Sequence, residues 1–256
     1  MSSSPDTAKA AFVLVHGAWH GAWCWRRVLP LLRGAGVETH AVTLTGVGER
    51  AHLLSPAVDL HTHIQDVMGL IEAEELQRIV LVGHSYAGVV VTGVADRLQR
   101  EHPGKLAHLV YLDAALPYPG DSWSSHQSAE TQQARTDASK PSGGLSFPPP
   151  DASVFGLEGA DRDWVNRRQT PQPFRLYQQP LDFDGERVAA VPRSFIDCTS
   201  PALPTIAPAR KRARTEPGWQ VLELATGHDP MVSEPAKLAE MLLGIHRTTT
   251  SATSPN

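Results

Sequence analysis

Residues 78–88 read RIVLVGHSYAG, an apolar run that breaks on a glycine and restarts as a helix, and this stretch decides how the chain folds. Ile79, Val80, Leu81 and Val82 have the length and branching of a buried strand, and from Val89 the sequence VVVTGVADRLQR takes up helical spacing. Between them stand Gly83, His84, Ser85, Tyr86, Ala87 and Gly88. A strand that turns sharply into a helix holds its middle residue on a strained corner, and the positions two before and two after it must be small because their backbones nearly touch. Gly83 and Ala87 meet that demand, so the pattern is G-x-S-x-G with alanine in the last place. A serine hydroxyl is a weak nucleophile at its own pKa, and such a corner presents it where a base and N–H donors can converge. The helix start behind Ser85 aims the amide of Tyr86 and the helix dipole at any negative charge that develops there. The plainer reading, a Gly-Ser turn in an ordinary βα unit, also accommodates these six residues.

Outward from this stretch the same grammar repeats. Residues 11–15, AFVLV, form an apolar run of strand length ended by His16-Gly17-Ala18-Trp19. A glycine there lets the backbone bend towards the serine corner, so the amide of Ala18 is the candidate for a second oxyanion donor. His16 reads as a loop-fixing hydrogen-bonder rather than a base, and Trp19, Trp23 and Trp25 of this loop read chiefly as packing residues, with Trp19 the candidate among them for a substrate contact. Residues 37–44 alternate as a strand, and 45–50, TGVGER, form a loop without the glycine spacing or the Lys-Ser/Thr of a phosphate cradle. Asp59 or Thr62 is placed to cap a helix over 61–75, with Ile64, Val67, Met68 and Ile71 on one face. His61 and His63 diverge on that helix, so they read as solvated or capping rather than as joint metal ligands. Residues 106–112, LAHLVYL, predict a buried strand ending at Asp113; 192–198 and 219–224 predict two more, the last followed by Gly227-His228-Asp229-Pro230 and a helix over 233–245. Strands alternating with helices argue for a doubly wound, mostly parallel sheet, on which Gly17, Ser85, Asp113 and His228 all stand at carboxyl ends. Asp229 reads as a cap, and the basic run at 210–214 as a solvated helix face.

Composition bounds the function. The chain has 256 residues, 41% of them hydrophobic, and a net charge of -4, which suits one large α/β domain with no general attraction to nucleic acid or anionic membrane. The partner implied is a small molecule, and a homodimer is compatible with the sequence. Residues 1–10 lack the basic and apolar regions of a signal peptide, no apolar run approaches a membrane span, and two cysteines, Cys24 and Cys198, suit buried thiols in a reducing compartment; the expectation is a cytoplasmic protein. The expected division is a flexible tail at 1–10, core at 11–120, an inserted cap at 121–190 where periodicity dissolves, core again at 191–246, and a fraying tail at 247–256. The cap aromatics Phe147, Phe155, Trp164, Phe174 and Tyr177 are candidate substrate contacts, or else hold the cap to the core.

Three stretches together, HGAWHGAWCW near the start, LVGHSYAG in the middle and GHDPMVSEPAKLAEMLL near the end, resemble the α/β-hydrolase superfamily. Within it they are similar to the branch of plant methylesterases, plant hydroxynitrile lyases and bacterial pyrethroid-hydrolase-like carboxylesterases, and TLTGVGERAHLLSPAVDLHTHIQDV looks most like the bacterial esterases. The resemblance spans the core well and 121–190 poorly. It implies Ser85 as nucleophile, His228 as base, and the amides of Ala18 and Tyr86 as the oxyanion hole, with no metal or organic cofactor.

The third member of a triad departs from the family pattern. Many relatives place an acid just after the penultimate strand, but 199–204 read TSPALP. Asp113, at the end of the strand beside the nucleophile strand, is the preferred replacement; Asp197, inside the following strand, is the alternative. The resulting expectation is a carboxylic ester hydrolase acting through an acyl-enzyme on Ser85. Rival readings are a specialised-metabolite ester or lactone hydrolase or cyclase, and a weakly catalytic binding protein on the same fold. A hydroxynitrile lyase of the plant kind would use a Thr after the first Gly and a Lys at the site, where this chain has Ala18 and, as the only lysine of the cap, Lys140.

Overall fold

The structure, a computed structural model, describes residues 10–251. Six strands, β1 (Ala11–Val15), β2 (Thr39–Val42), β3 (Ile79–His84), β4 (Leu106–Leu112), β7 (Arg193–Cys198) and β8 (Trp219–Leu224), form one sheet in the order β2-β1-β3-β4-β7-β8. Every neighbouring pair is parallel. Near-continuous apolar strands such as AFVLV and IVLVGH suit a sheet covered on both faces, and both are buried along their whole length. The chain winds out from β1 to β2, then crosses back to β3 and continues the other way. The crevice above the sheet at that reversal lies between the ends of β1 and β3, where Gly17 and Ser85 stand.

The helices follow from their apolar faces. After a 3-10 segment at Ala22–Arg27, α1 (Leu29–Gly34) completes the first crossover. Helix α2 (Leu60–Ala73) begins in a capping box between Asp59 and Thr62, worth about 1 kcal/mol. It buries Ile64, Val67, Met68 and Ile71, each contributing on the order of 2 kcal/mol. Helix α3 (Ala87–Glu101) carries four valines and two glycines in its first two turns, a poor helix sequence that burial overrides: every residue from Ala87 to Asp96 is buried.

Between β4 and β7 the chain leaves the sheet. It forms α4 (Ala129–Ser139), a two-stranded antiparallel pair β5 (Ser146–Phe147) and β6 (Gln172–Pro173), α5 (Gly159–Asn166), α6 (Arg175–Gln178) and α7 (Gly185–Ala189). After β7 come α8 (Ala207–Thr215), β8, α9 (Pro230–Ser233) and α10 (Pro235–Ser251). Of the two expected tails, residues 1–9 and 252–256 lie outside the described residues. Ala10 is buried, and 247–251 belong to α10.

Candidate active site

Ser85 sits at the end of β3 with φ 55°, a left-handed conformation uncommon for a residue with a side chain. The corner is held from both sides. The Ser85 amide donates to the Leu112 carbonyl (3.2 Å), and the Ser85 carbonyl accepts from the amides of Gly88 (3.1 Å) and Ala115 (3.0 Å). The crowding read from the sequence is present: a Cβ on Gly83 would stand 2.6 Å from Val91 Cγ2 and 2.9 Å from the Ala87 carbonyl oxygen. Gly17 is restricted in the same way, since a Cβ there would lie 2.9 Å from Ser85 Cβ. Only glycine lets the loop after β1 approach the serine this closely.

One hydrogen-bonded chain joins the ends of three strands. Ser85 Oγ donates to His228 Nε2 (2.8 Å), and His228 Nδ1 donates to Asp113 Oδ2 (2.6 Å). Both His228 and Asp113 are buried. Asp113 also has a left-handed backbone, φ 41°, and its amide donates to Ile196 of β7 (2.8 Å). The other carboxylate oxygen of Asp113 accepts from Arg210 Nη2 (2.8 Å), while Arg210 Nε and Arg214 Nη2 bind the two oxygens of Asp197. Asp197 therefore faces α8 and its arginines, away from His228. The basic run is not the solvated face expected of it, because Arg210 is 13% exposed and bridges the two aspartates. A sequence window of five residues cannot register carboxylates supplied from 13 and 97 positions away.

The loop after β1 is fixed by histidines. The Leu44 amide donates to His16 Nε2 (3.1 Å), which leaves the ring proton on Nδ1, donated to the Gly17 carbonyl (2.7 Å). Burial drives the His16 pKa down to about 3, so the ring is neutral. The Gly17 carbonyl and the Ala18 N–H belong to one planar peptide unit, so this bond orients that N–H. Among the described residues neither the Ala18 nor the Tyr86 amide has an intramolecular acceptor, although both residues are buried. Such donors are rare unless a ligand or water meets them.

Two further histidines depart from expectation. His20 donates from Nδ1 to the Ala18 carbonyl (2.7 Å) and from Nε2 to Asp229 Oδ2 (3.1 Å). Both bonds need a proton on the ring, so His20 is an imidazolium; burial opposes that charge, but the Asp229 carboxylate overrides it and raises the pKa. Asp229 caps nothing with its side chain, being wholly buried in this ion pair. His63 is buried, not solvated: Nε2 donates to the Thr45 carbonyl (2.8 Å) and Nδ1 accepts from the Tyr86 hydroxyl (3.1 Å), with burial lowering its pKa to about 4. His61 is exposed, as read. His84 donates from Nε2 to the His228 carbonyl (2.8 Å), tying the loop of His228 to the serine corner.

Above this chain opens a cavity of about 370 Å³, lined by Ser85, His228, Trp19, Phe155 and residues of the β4–β7 segment and α8. Trp19 lines it, its amide held by Gln172 Oε1 (2.9 Å). Of the five aromatic candidates only Phe155 is in the lining; its carbonyl also accepts from the His228 amide (2.9 Å). Phe147 and Tyr177 pack behind, against Trp123, which does line the cavity and carried no sequence signal of its own. Trp164 packs on Trp23, and Phe174 on Phe147. Lys140 is remote from this chemistry, exposed and paired with Asp137 (2.6 Å). Cys24 and Cys198 are free and buried, and burial raises both thiol pKa values. Among the described residues no group of three or more His, Cys, Asp or Glu could hold a metal ion, and no helix is long and apolar enough to cross a membrane.

Residues 12–241 match the sequence model described as "Alpha/beta hydrolase family". A carbendazim hydrolyzing esterase of Nocardioides sp. (strain SG-4G) is 44% identical over 253 residues, covering 92% of this chain and 99% of that protein. The chain belongs to the alpha/beta hydrolase family. This hydrolase is also similar to methyl jasmonate esterase 1 of Vitis vinifera, at 29% identity over 90% of this chain and 94% of that one. In three dimensions it is similar to an extracellular alpha/beta-hydrolase from a Paenibacillus species, with a TM-score of 0.80 at 22% identity over 92% of this chain and 98% of that one. That likeness speaks for the fold alone.

Proposed function

We propose that this α/β hydrolase cleaves small or medium-sized carboxylic esters through an acyl-enzyme on Ser85. The observation that carries the reading is the hydrogen-bonded series Ser85–His228–Asp113, opening onto a cavity beside two amides without acceptors. Ser85 Oγ attacks the ester carbonyl carbon while His228 Nε2 takes its proton. The resulting oxyanion lies between the N–H groups of Ala18 and Tyr86, and the imidazolium is stabilised by Asp113. Collapse expels the alkoxide, which His228 protonates to the alcohol. A water, deprotonated by His228, then adds to the acyl carbon, and the acid departs as Ser85 regains its proton.

Relatives named as a methyl jasmonate esterase and as methylesterases support methyl esters as a substrate class. The 44% identical relative, named for carbendazim hydrolysis, adds that ligand as a candidate. Residues 121–190 are read as a cap over the carboxyl edge of the sheet, supplying Trp123 and Phe155 to the substrate. The test is labelling with a fluorophosphonate probe together with pre-steady-state kinetics on p-nitrophenyl acetate. The expected result is a stoichiometric adduct on Ser85, a burst of p-nitrophenol, and loss of both in Ser85→Ala. A binding protein on this fold would give neither adduct nor burst.

A further inference from the structure

The charged side chains around the cavity are unevenly matched. Glu216, the sole carboxylate in the lining, is engaged by Arg212 (2.9 Å) and by the Tyr118 hydroxyl (2.7 Å). His126 is paired with Asp121 (2.6 Å). Arg135 of α4 differs from all of these. It lines the same cavity as Ser85 and His228, yet among the described residues its guanidinium has no ion pair and no hydrogen bond. Its guanidinium lies over the rings of Trp19 (4.8 Å to the centroid) and Phe147 (5.5 Å), and burial lowers its pKa. A guanidinium offers five N–H donors in a fixed fork suited to a planar oxyanion, and stacking on two rings engages its face while leaving those edge-directed donors available to a ligand in the cavity. Lys211, exposed on α8 at the rim, is a second cation without an ion pair among the described residues.

We propose that Arg135 is a specificity-determining subsite for an anionic group, so that the preferred substrates are esters carrying a second, carboxylate-type oxyanion remote from the ester being cleaved. The inference rests on the ester-hydrolase reading and names the substrate class of that same cavity. Trp19 links the two sites physically. Its ring stacks under Arg135, and its backbone follows directly on Ala18, whose amide is assigned to the oxyanion. An anion held at Arg135 thus lies over the same aromatic floor that leads to Ser85. Arg135 takes no part in proton transfer; it orients the substrate and lowers its KM.

Two matched ester pairs test this, one with the anion on the acyl side and one on the alcohol side: mono-p-nitrophenyl glutarate against p-nitrophenyl pentanoate, and para-carboxyphenyl acetate against para-carbamoylphenyl acetate. The anionic-to-neutral ratio of kcat/KM is measured for the wild type, Arg135→Lys and Arg135→Gln. In at least one pair the ratio is expected to fall about tenfold or more in Arg135→Gln, the scale of one lost charge-assisted hydrogen bond, with Arg135→Lys in between. The loss should appear mainly in KM, and the wild-type ratio should shrink as salt is raised. Ratios that are equal in all three proteins for both pairs overturn the proposal. Calorimetric titration of the wild type with benzoate and with benzamide needs no turnover: tighter binding of benzoate that Arg135→Gln abolishes supports the subsite, and equal binding overturns it. If no ester is turned over and Ser85 takes no fluorophosphonate label, the hydrolase reading fails, and the titration still decides the subsite.

Discussion

Two buried histidine–aspartate pairs lie side by side in this protein and have opposite chemistry. His228 meets Asp113 at 2.6 Å and His20 meets Asp229 at 3.1 Å, all four side chains being nearly or wholly buried. The difference lies in the third partner. The free nitrogen of His228 faces a hydroxyl, which can give it a proton, so that ring can act as a base. The second nitrogen of His20 faces the Ala18 carbonyl, which can only accept, so that ring is held as a cation and has no lone pair to offer. A histidine beside an aspartate is thus a base or a strut according to what its other nitrogen touches.

The sharpest way to break this comparison is to remove the base. His228→Ala should lower kcat on p-nitrophenyl acetate by about four orders of magnitude or more, as should Ser85→Ala, because the members of such a unit act together. Comparable turnover in either variant would remove the basis of the acyl-enzyme reading. Next, Asp113→Asn should cost about three to four orders of magnitude by upsetting the His228 tautomer. Asp197→Asn, which disturbs only the Arg210 and Arg214 contacts, should cost about tenfold or less. A reversed ranking would assign the acid to Asp197.

The strut should answer in stability rather than chemistry. Asp229→Asn leaves the His20 imidazolium buried without its counter-ion, and urea unfolding should show a loss of about 3–5 kcal/mol. A kcat that falls as far as in Asp113→Asn, with stability intact, would erase the distinction between the two pairs.

The smallest effect expected is acid destabilisation from His16 and His63. Their folded pKa values, about 3 and about 4, lie below the ordinary 6.5. Their contribution is therefore complete above that value and is lost as the pH falls towards the folded values. Each ring should withdraw about 2 kcal/mol between pH 6.5 and about pH 5. His20 has the opposite sign: its raised pKa stabilises the fold at low pH and is lost as the pH rises through the folded value. A Tm that stays flat from about pH 7 to about pH 4.5 would show that the neutral rings do not dominate the acid limb.

Much of the frame was legible because it is local. The strand bounds read at 11–15, 106–112 and 219–224 coincide with β1, β4 and β8: the first two are largely apolar runs bounded by turn residues, and the third is a half-buried edge strand that mixes apolar residues with Gln220 and Glu223. The serine corner and the Gly-His after the last strand were legible for the same reason. The histidines were harder. His63 reads as solvated or capping because a lone histidine near a helix start carries no local sign of the Thr45 carbonyl and Tyr86 hydroxyl that await it. Arg210 was read as a surface charge, and Asp229 as a cap, for want of partners that the sequence holds far away.

From the sequence alone came the order of strands and helices, the strained turn that exposes Ser85, and the placement of an imidazole at the same sheet edge, because each depends on residues within a few positions of one another. The sequence prefers Asp113 to Asp197, but only the tertiary structure sets Asp113 against His228, gives His20 two acceptors, and brings Arg135 over Trp19. Those outcomes depend on which side chains meet across 115, 209 and 116 steps of chain, and burial makes such meetings decisive by removing the water that would otherwise satisfy each group by itself.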